Sequence, residues 1–281
     1  MDYSRQYRFA GVTIRIDSEA PLDEYLGLTE FGMAPSSADC NITLHFADKL
    51  PEPKRADTAG DGRLYQRLAI TKPSGNPNKD YVVIESDGRS YSMTILSEYI
   101  GRFDAVTALR TANFNHIMLE HDAIILHSSY ILHKGKAILF CAPSGTGKST
   151  QADLWSRHRG AEIINGDRAL VRRIDGKFTA NGVYYAGTSG ICKDVTAPIA
   201  AIVMLGQAKE NRVCRMSGAE VFLGLFRQSA YSKTVPTDPG LAAALLSDAA
   251  EKLPVIKLDC LPDESAVKAL EDFMEEGNLL G

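Results

Sequence analysis

The sequence is poor in the features that would assign it quickly. It has five cysteines, at 40, 141, 192, 214 and 260, and no two of them form a C-x-x-C pair. An odd count without metal-type spacing argues against both a disulfide framework and a zinc site, and the thiols read as small apolar residues in a reducing compartment. No apolar run approaches the length of a membrane span, so no membrane partner is expected. The opening stretch MDYSRQYRFAG lacks the apolar core of a secretory signal, and the expected location is the cytoplasm. There is no basic excess either: 31 Lys and Arg stand against 35 Asp and Glu, a net charge of −4. A nucleic-acid surface is therefore not expected. Internal repeats and low-complexity tracts are also missing.

What is present is ordinary for a folded enzyme-sized chain. The 281 residues are 44% hydrophobic and 23% charged, enough for one large or two modest domains. Residues 1–102 read as a β-rich N-terminal domain, with strand-like stretches YRFAGVTIRI, CNITLHFA, RLYQRLAI, DYVVIES and SYSMTILSEYI. Asp87-Gly88 is a two-residue hairpin signal. The polar segments 47–63 and 72–80 read as surface loops. Residues 103–120 carry helical spacing, and 103–281 form the expected second domain. There, AIILHSSYIL and KAILFC are joined so tightly that they must be antiparallel neighbours. Asp175-Gly176 marks a further hairpin, PIAAIVML and VIKLDC read as strands, and helices are expected over about 217–232, 240–252 and 263–276, the last capped at Asp263.

The chemistry concentrates in AILFCAPSGTGKST, residues 137–150. Gly145 and Gly147 permit backbone angles that turn several N–H groups into one concavity, where phosphate binds. The following helix adds the positive end of its dipole. Ser144, Gly145, Thr146, Gly147, Lys148, Ser149 and Thr150 are the candidate nucleotide-binding residues. Lys148 would reach the β- and γ-phosphates and Ser149 would ligate Mg²⁺. The P-loop pattern G-x-x-x-x-G-K-[ST] is met except at its first glycine, which is Ala142 here, the smallest replacement.

A phosphate site needs an acid nearby. Asp167, at the end of AEIINGD and 19 residues after Lys148, is the candidate, as base or as metal ligand beside Ser149. Its bland alternative is a turn residue, since Asn-Gly-Asp is good turn chemistry. His127 is either a hydrogen-bonded core histidine or an imidazole near the phosphates. The segment YYAGTSGICK (184–193) is a candidate acceptor loop. Lys193, Arg168, Arg172 and Arg173 are cations that could meet phosphate charge, though Arg172 and Arg173 read better as a solvated strand face.

Together, LHSSYILHKGKAILFCAPSGTGKST and AEIINGDRALV resemble the HPr kinase/phosphorylase and phosphoenolpyruvate carboxykinase superfamily, over about residues 125–207. The resemblance implies an α/β fold with a mixed-sheet P-loop core, His127 as the upstream histidine, and Lys148, Asp167 and His127 as catalytic residues. It implies ATP and Mg²⁺ as cofactors and a hydroxyl acceptor, a serine in a peptide or protein. Family members carry a pair of acids where this chain has Gly166-Asp167-Arg168. Three functions compete: a kinase; an ATP-binding regulatory module with slow or no hydrolysis, favoured by the missing acid; and a carboxykinase-type enzyme, for which the chain is short. A small-molecule kinase is the variant of the first, and an oligomer is compatible with all.

Overall fold

The computed structural model describes residues 3–23, 25–52, 64–69, 80–185, 187–233 and 235–280. The chain divides into two compact units, Met1–Ile117 and Met118–Gly281.

The first unit contains β1 (Tyr3–Phe9), β2 (Val12–Ser18), the short α1 (Leu26–Thr29), β3 (Cys40–Ala47), β4 (Leu64–Ala69), β5 (Asp80–Ser86), β6 (Ser90–Leu96) and α2 (Ala105–Thr111). Its strands form one mixed sheet in the order β1-β2-β3-β6-β5-β4, with β2–β3 and β3–β6 parallel. Three expectations need correcting. YRFAGVTIRI is not one strand, because Ala10 and Gly11 take left-handed backbone angles (φ 50° and 84°) and fold it into the β1–β2 hairpin. The β5–β6 turn is centred one residue later than expected, on Gly88 and Arg89. It is closed by Asp87 N–H donating to Ser90 O at 3.2 Å and by Asp87 Oδ1 accepting from the Arg89 and Ser90 amides. And 103–120 is two helices, α2 and α3 (Phe114–Glu120), broken by Asn113 at φ 64°. Asparagine tolerates that conformation, and the apolar spacing runs on across the break because both helices bury one side. Of the two expected surface loops, 47–63 and 72–80, residues 53–63 and 72–79 lie outside the described residues.

The second unit contains β7 (Ala123–His133), β8 (Lys136–Cys141), α4 (Lys148–Arg159), β9 (Glu162–Asn165), β10 (Arg168–Ile174), β11 (Lys177–Asn181), β12 (Thr196–Gln207), β13 (Arg212–Arg215), α5 (Gly218–Gln228), β14 (Ser229–Ala230), α6 (Asp238–Lys252), β15 (Val255–Cys260) and α7 (Glu264–Glu276). The main path of its sheet is β11-β10-β7-β8-β12-β15-β13, mixed in direction. β8, β12 and β15 run parallel, while β7 and β8 form the expected antiparallel hairpin through a Lys134-Gly135 turn (φ 50° and 75°). The Asp175-Gly176 hairpin also forms, joining β10 to β11.

Both faces of this sheet are covered, which is why KAILFC is apolar throughout rather than alternating. Along β8, Leu139 and Cys141 enter a cluster with Leu225, Leu245 and Leu246 of α5 and α6. Ile138 and Phe140 enter the opposite cluster with Trp155 of α4 and Val267 and Leu270 of α7. The helix expected over 217–232 stops at Gln228, because Ser229 and Ala230 leave it to pair with β7.

Helix α7 starts as the sequence predicts. Asp263 has extended backbone, and its Oδ1 accepts from Ser265 N–H at 2.9 Å. Replacing Asp263 by Ala leaves that amide to water, and the expected loss in urea unfolding is about 1 kcal/mol, the usual worth of an N-cap.

Candidate functional site

Strand β8 delivers the chain to the end of the buried sheet, and the loop Ala142–Gly147 carries it into α4. Gly145 and Gly147 sit at φ 80° and 119°. An added Cβ would meet nothing within 4 Å at either, so these positions need glycine for backbone angle and not for space. Ala142 is not among the residues with positive φ and is 2% exposed. The departure from the glycine pattern is thus tolerated because that position asks for no left-handed backbone.

Lys148 opens α4 and is only 7% exposed. Its ammonium folds back over the loop, donating to Ala142 O at 2.9 Å and, at 3.4 Å, towards Pro143 O. Burial holds the Lys148 pKa below its ordinary value; the field of Asp167 is the largest influence opposing that shift. Ser144, Ser149 and Thr150 are exposed around it, and Thr146 is half-buried.

The acid is set by β7, β9 and β10. Asn165, fully buried at the end of β9, uses both ends of its amide. Its Oδ1 accepts from Asp167 N–H and Arg168 N–H, each at 2.9 Å, and its Nδ2 donates to Val183 O and Tyr185 O, each at 2.8 Å. Ser129 Oγ donates to Gly166 O at 2.9 Å, and Ser128 N–H to Asp167 O at 3.0 Å. The Asn-Gly-Asp turn is therefore bolted to β7 on one side and to the 183–185 segment on the other. His127 of β7 pairs with Arg168 in the β7–β10 ladder, which puts its Nε2 3.3 Å from Asp167 Oδ1. Arg168 Nε lies 3.1 Å from Asp167 Oδ2, and its guanidinium stacks 4.6 Å from the Tyr185 ring centre. The loop Gly187–Gly190 lies directly on this acid: a Cβ on Gly187 would sit 2.6 Å from the Asp167 Cβ.

No family model and no curated protein matches this chain. Among solved structures, one titled "Structure of the Hpr(Ser) kinase/phosphatase from Coxiella burnetii" is similar at 11% identity and a TM-score of 0.31, over 54% of this chain and 98% of that one. At that score the reading of the site rests on this chain's own residues.

Of the residues singled out in the sequence, Lys148, Asp167, His127 and Arg168 come together, and the acceptor-loop candidate joins them at Gly187. Three cations do not. Lys193 pairs with Glu162 at 2.7 Å, Arg172 donates to His121 O, and Arg173 is held by Asp122 and Asp248. Asn165, Ser129 and Tyr185 carry weight that the sequence did not disclose. Asn165 had one visible cue, its place at the head of Asn-Gly-Asp. Among the described residues no group of three or more His, Cys, Asp or Glu could hold a metal ion by itself.

Burial and then the Lys148 charge keep the His127 pKa below its ordinary 6.5, with Asp167 pulling the other way. At neutral pH the ring is uncharged, so the Nε2 facing the carboxylate carries the proton. The folded chain resists a proton that the unfolded chain accepts, so His127 weakens folding as pH falls below 6.5. By NMR titration His127 is expected to ionise below 6.5. Lys148→Ala should raise that pKa and Asp167→Asn should lower it; either shift in the reverse direction would remove the three groups from one electrostatic site.

Proposed function

We propose that this chain is an ATP- and Mg²⁺-dependent phosphotransferase, a kinase acting on a hydroxyl acceptor, most simply a serine in a peptide or protein. The observation that carries this reading is the buried Lys148 ammonium at the start of α4, folded over a glycine loop and within the electrostatic influence of a positioned carboxylate, Asp167. Phosphoryl transfer asks for little more than positioning and charge at the phosphate.

The residues fit such a ligand set. Left-handed Gly145 and Gly147 lead into the first turn of α4, where amides unpaired within the helix can meet a phosphate chain. The Ser149 hydroxyl and the Asp167 carboxylate are hard oxygen donors, and Mg²⁺ bound to substrate phosphates needs only one or two from protein. When bound, Mg²⁺ would neutralise charge on the phosphate oxygens. Lys148 would leave its loop carbonyls for the β- and γ-phosphates. Asp167 would orient the acceptor hydroxyl and take its proton as the acceptor oxygen bonds to the γ-phosphorus and ADP leaves. Neutral His127 and Arg168 hold the two carboxylate oxygens in place. The Gly187–Gly190 loop, lying on Asp167, is where the acceptor would be presented and water excluded.

One observation favours a second reading, an ATP-binding regulatory module with slow or no hydrolysis. Gly166 or Arg168, depending on the alignment, stands where the resembling family carries a second acid, and Arg168 engages Asp167 directly. ADP production that depends on an added acceptor separates the two.

Lys148→Ala should weaken ATP far more than AMP in calorimetric titration, because AMP lacks the phosphates the amine would touch. Equal losses for both nucleotides would mean damage to the fold.

Asp167→Asn keeps the shape and removes the charge. If Asp167 is the base, Mg-ATP binding should persist while acceptor-dependent turnover falls by about two orders of magnitude or more; if it is a metal ligand, the Mg²⁺ dependence should shift as well. Unchanged turnover would assign the proton to another group.

A further inference from the structure

The sheet of the first unit ends on an open edge. β1 is its terminal strand, paired with β2 along one side; on the other side, among the described residues, it meets only the isolated bridge Tyr7–Gly32. In an antiparallel pair, successive residues turn their backbone groups alternately towards the partner and away from it. The segment after α1 identifies the outward set: Arg8 N–H donates to Phe31 O at 2.9 Å, and Gln6 O accepts from Met33 N–H at 3.0 Å. Ser4, next in that alternation, turns its N–H and C=O to the same outer side. The covering segment does not reach it. After Met33 the chain is drawn to the Gln6 side chain, whose Nε2 donates to Ser36 O at 3.0 Å and whose Oε1 accepts from Ser36 N–H at 2.8 Å. Among the described residues no backbone group pairs with Ser4 at this edge.

A cavity of about 480 Å³ lies beside it. Its wall is mixed: Tyr7, Tyr25, Leu28 and Met33 supply apolar surface, while Arg5 and Arg15 supply charge. Among the described residues no Asp or Glu lines it, in a chain whose net charge is −4. Arg15 is tied through Nε to Asp17 at 2.9 Å. Arg5 is exposed and has no acidic partner among the described residues, and its Nη1 lies 3.4 Å from Ser4 O, which places the guanidinium at the open edge. A guanidinium there can hold a carboxylate with two N–H groups at once.

We propose that the Ser4 edge of β1 takes an extended acidic segment of a partner protein as an added strand, with a carboxylate on Arg5 and an apolar neighbour in the cavity. Strand addition satisfies the edge N–H and C=O together, which a small anion cannot do, and side-chain pockets beside the edge then set the preference. An open edge invites indiscriminate pairing, and a charged side chain upon it restricts that pairing. Arg5 admits segments that bring the opposite sign. A second copy of β1, YSRQYRF, offers two arginines and no acid, so it fits this edge poorly. The proposal uses no residue of the second unit and stands apart from the phosphotransferase reading.

The probe is a fluorescent peptide of about eight residues built from Glu, Val and Tyr, matched with a second that carries Lys for each Glu. In fluorescence anisotropy with the full chain, the acidic peptide should bind about tenfold or more tighter than the basic one. Arg5→Glu should weaken the acidic peptide by about tenfold or more. Ser4→Pro removes the outward N–H at a position on an edge strand where proline is tolerated. It should weaken the same peptide to a similar extent while thermal unfolding stays close to that of the parent chain. Should Ser4→Pro fail to fold, Arg5→Glu decides the matter, because Arg5 is exposed and has no ion pair among the described residues to lose. No binding of the acidic peptide, equal binding of the two peptides, or acidic binding untouched by Arg5→Glu would overturn the proposal. Free glutamate binding as tightly as the peptide would make the cavity a small-anion site and overturn the added strand.

Discussion

A buried ammonium sets the terms for the second unit's site. Lys148 is almost wholly removed from water, and a cation so placed is costly unless oxygen atoms surround it. Two carbonyls of its own loop supply part of that need, and the field of Asp167 supplies more. The loop must therefore curl tightly enough to aim Ala142 O at a side chain six residues later, which is what left-handed Gly145 and Gly147 allow. An incoming anion would replace those carbonyls with a stronger partner. The same burial that makes the amine expensive makes it responsive to charge.

Asp167 is positioned by its neighbours more than by its own strand. Asn165 spends both ends of one amide on the turn and on the 183–185 backbone, so the acid and the segment leading to the Gly187 loop are held by a single side chain. Such a fully satisfied buried amide specifies geometry closely, because each of its alternatives strands a polar group. β7 is the other half of this device. Its first residues pair with β10 and its last with β8, so one continuous strand carries His127 to the acid and borders the strand that leads into the glycine loop.

Arg168 gives the site its own character. A guanidinium between a carboxylate and an aromatic face is well satisfied. In the kinase reading it steadies Asp167 and stands ready to meet phosphate charge. In the regulatory reading it occupies the acid. The two readings share every residue and differ in how far Arg168 lets go.

Local sequence determined a great deal here. The β7–β8 and β10–β11 turns fall where they were expected, because Gly135, Asp175 and Gly176 tolerate left-handed angles that most residues resist. The continuous apolar run of KAILFC announced a buried strand, and Gly145 and Gly147 announced a loop of left-handed angles leading into a helix. Other features belonged to tertiary structure alone. Asn113 breaks a helical pattern whose apolar spacing runs straight through it, and Ser229–Ala230 abandon a helix because β7 offers free backbone groups. Asn165 and Ser129 matter through partners 18 to 37 residues away, and Tyr185 through the ring that Arg168 covers. Lys193 looked equal to Arg168 until Glu162 claimed it, while Arg173, read as a strand-face residue, is held by Asp122 and Asp248. Spacing along a chain fixes backbone angles and the faces of elements, whereas the choice of partner for a long charged side chain is made only when the sheet brings distant residues together.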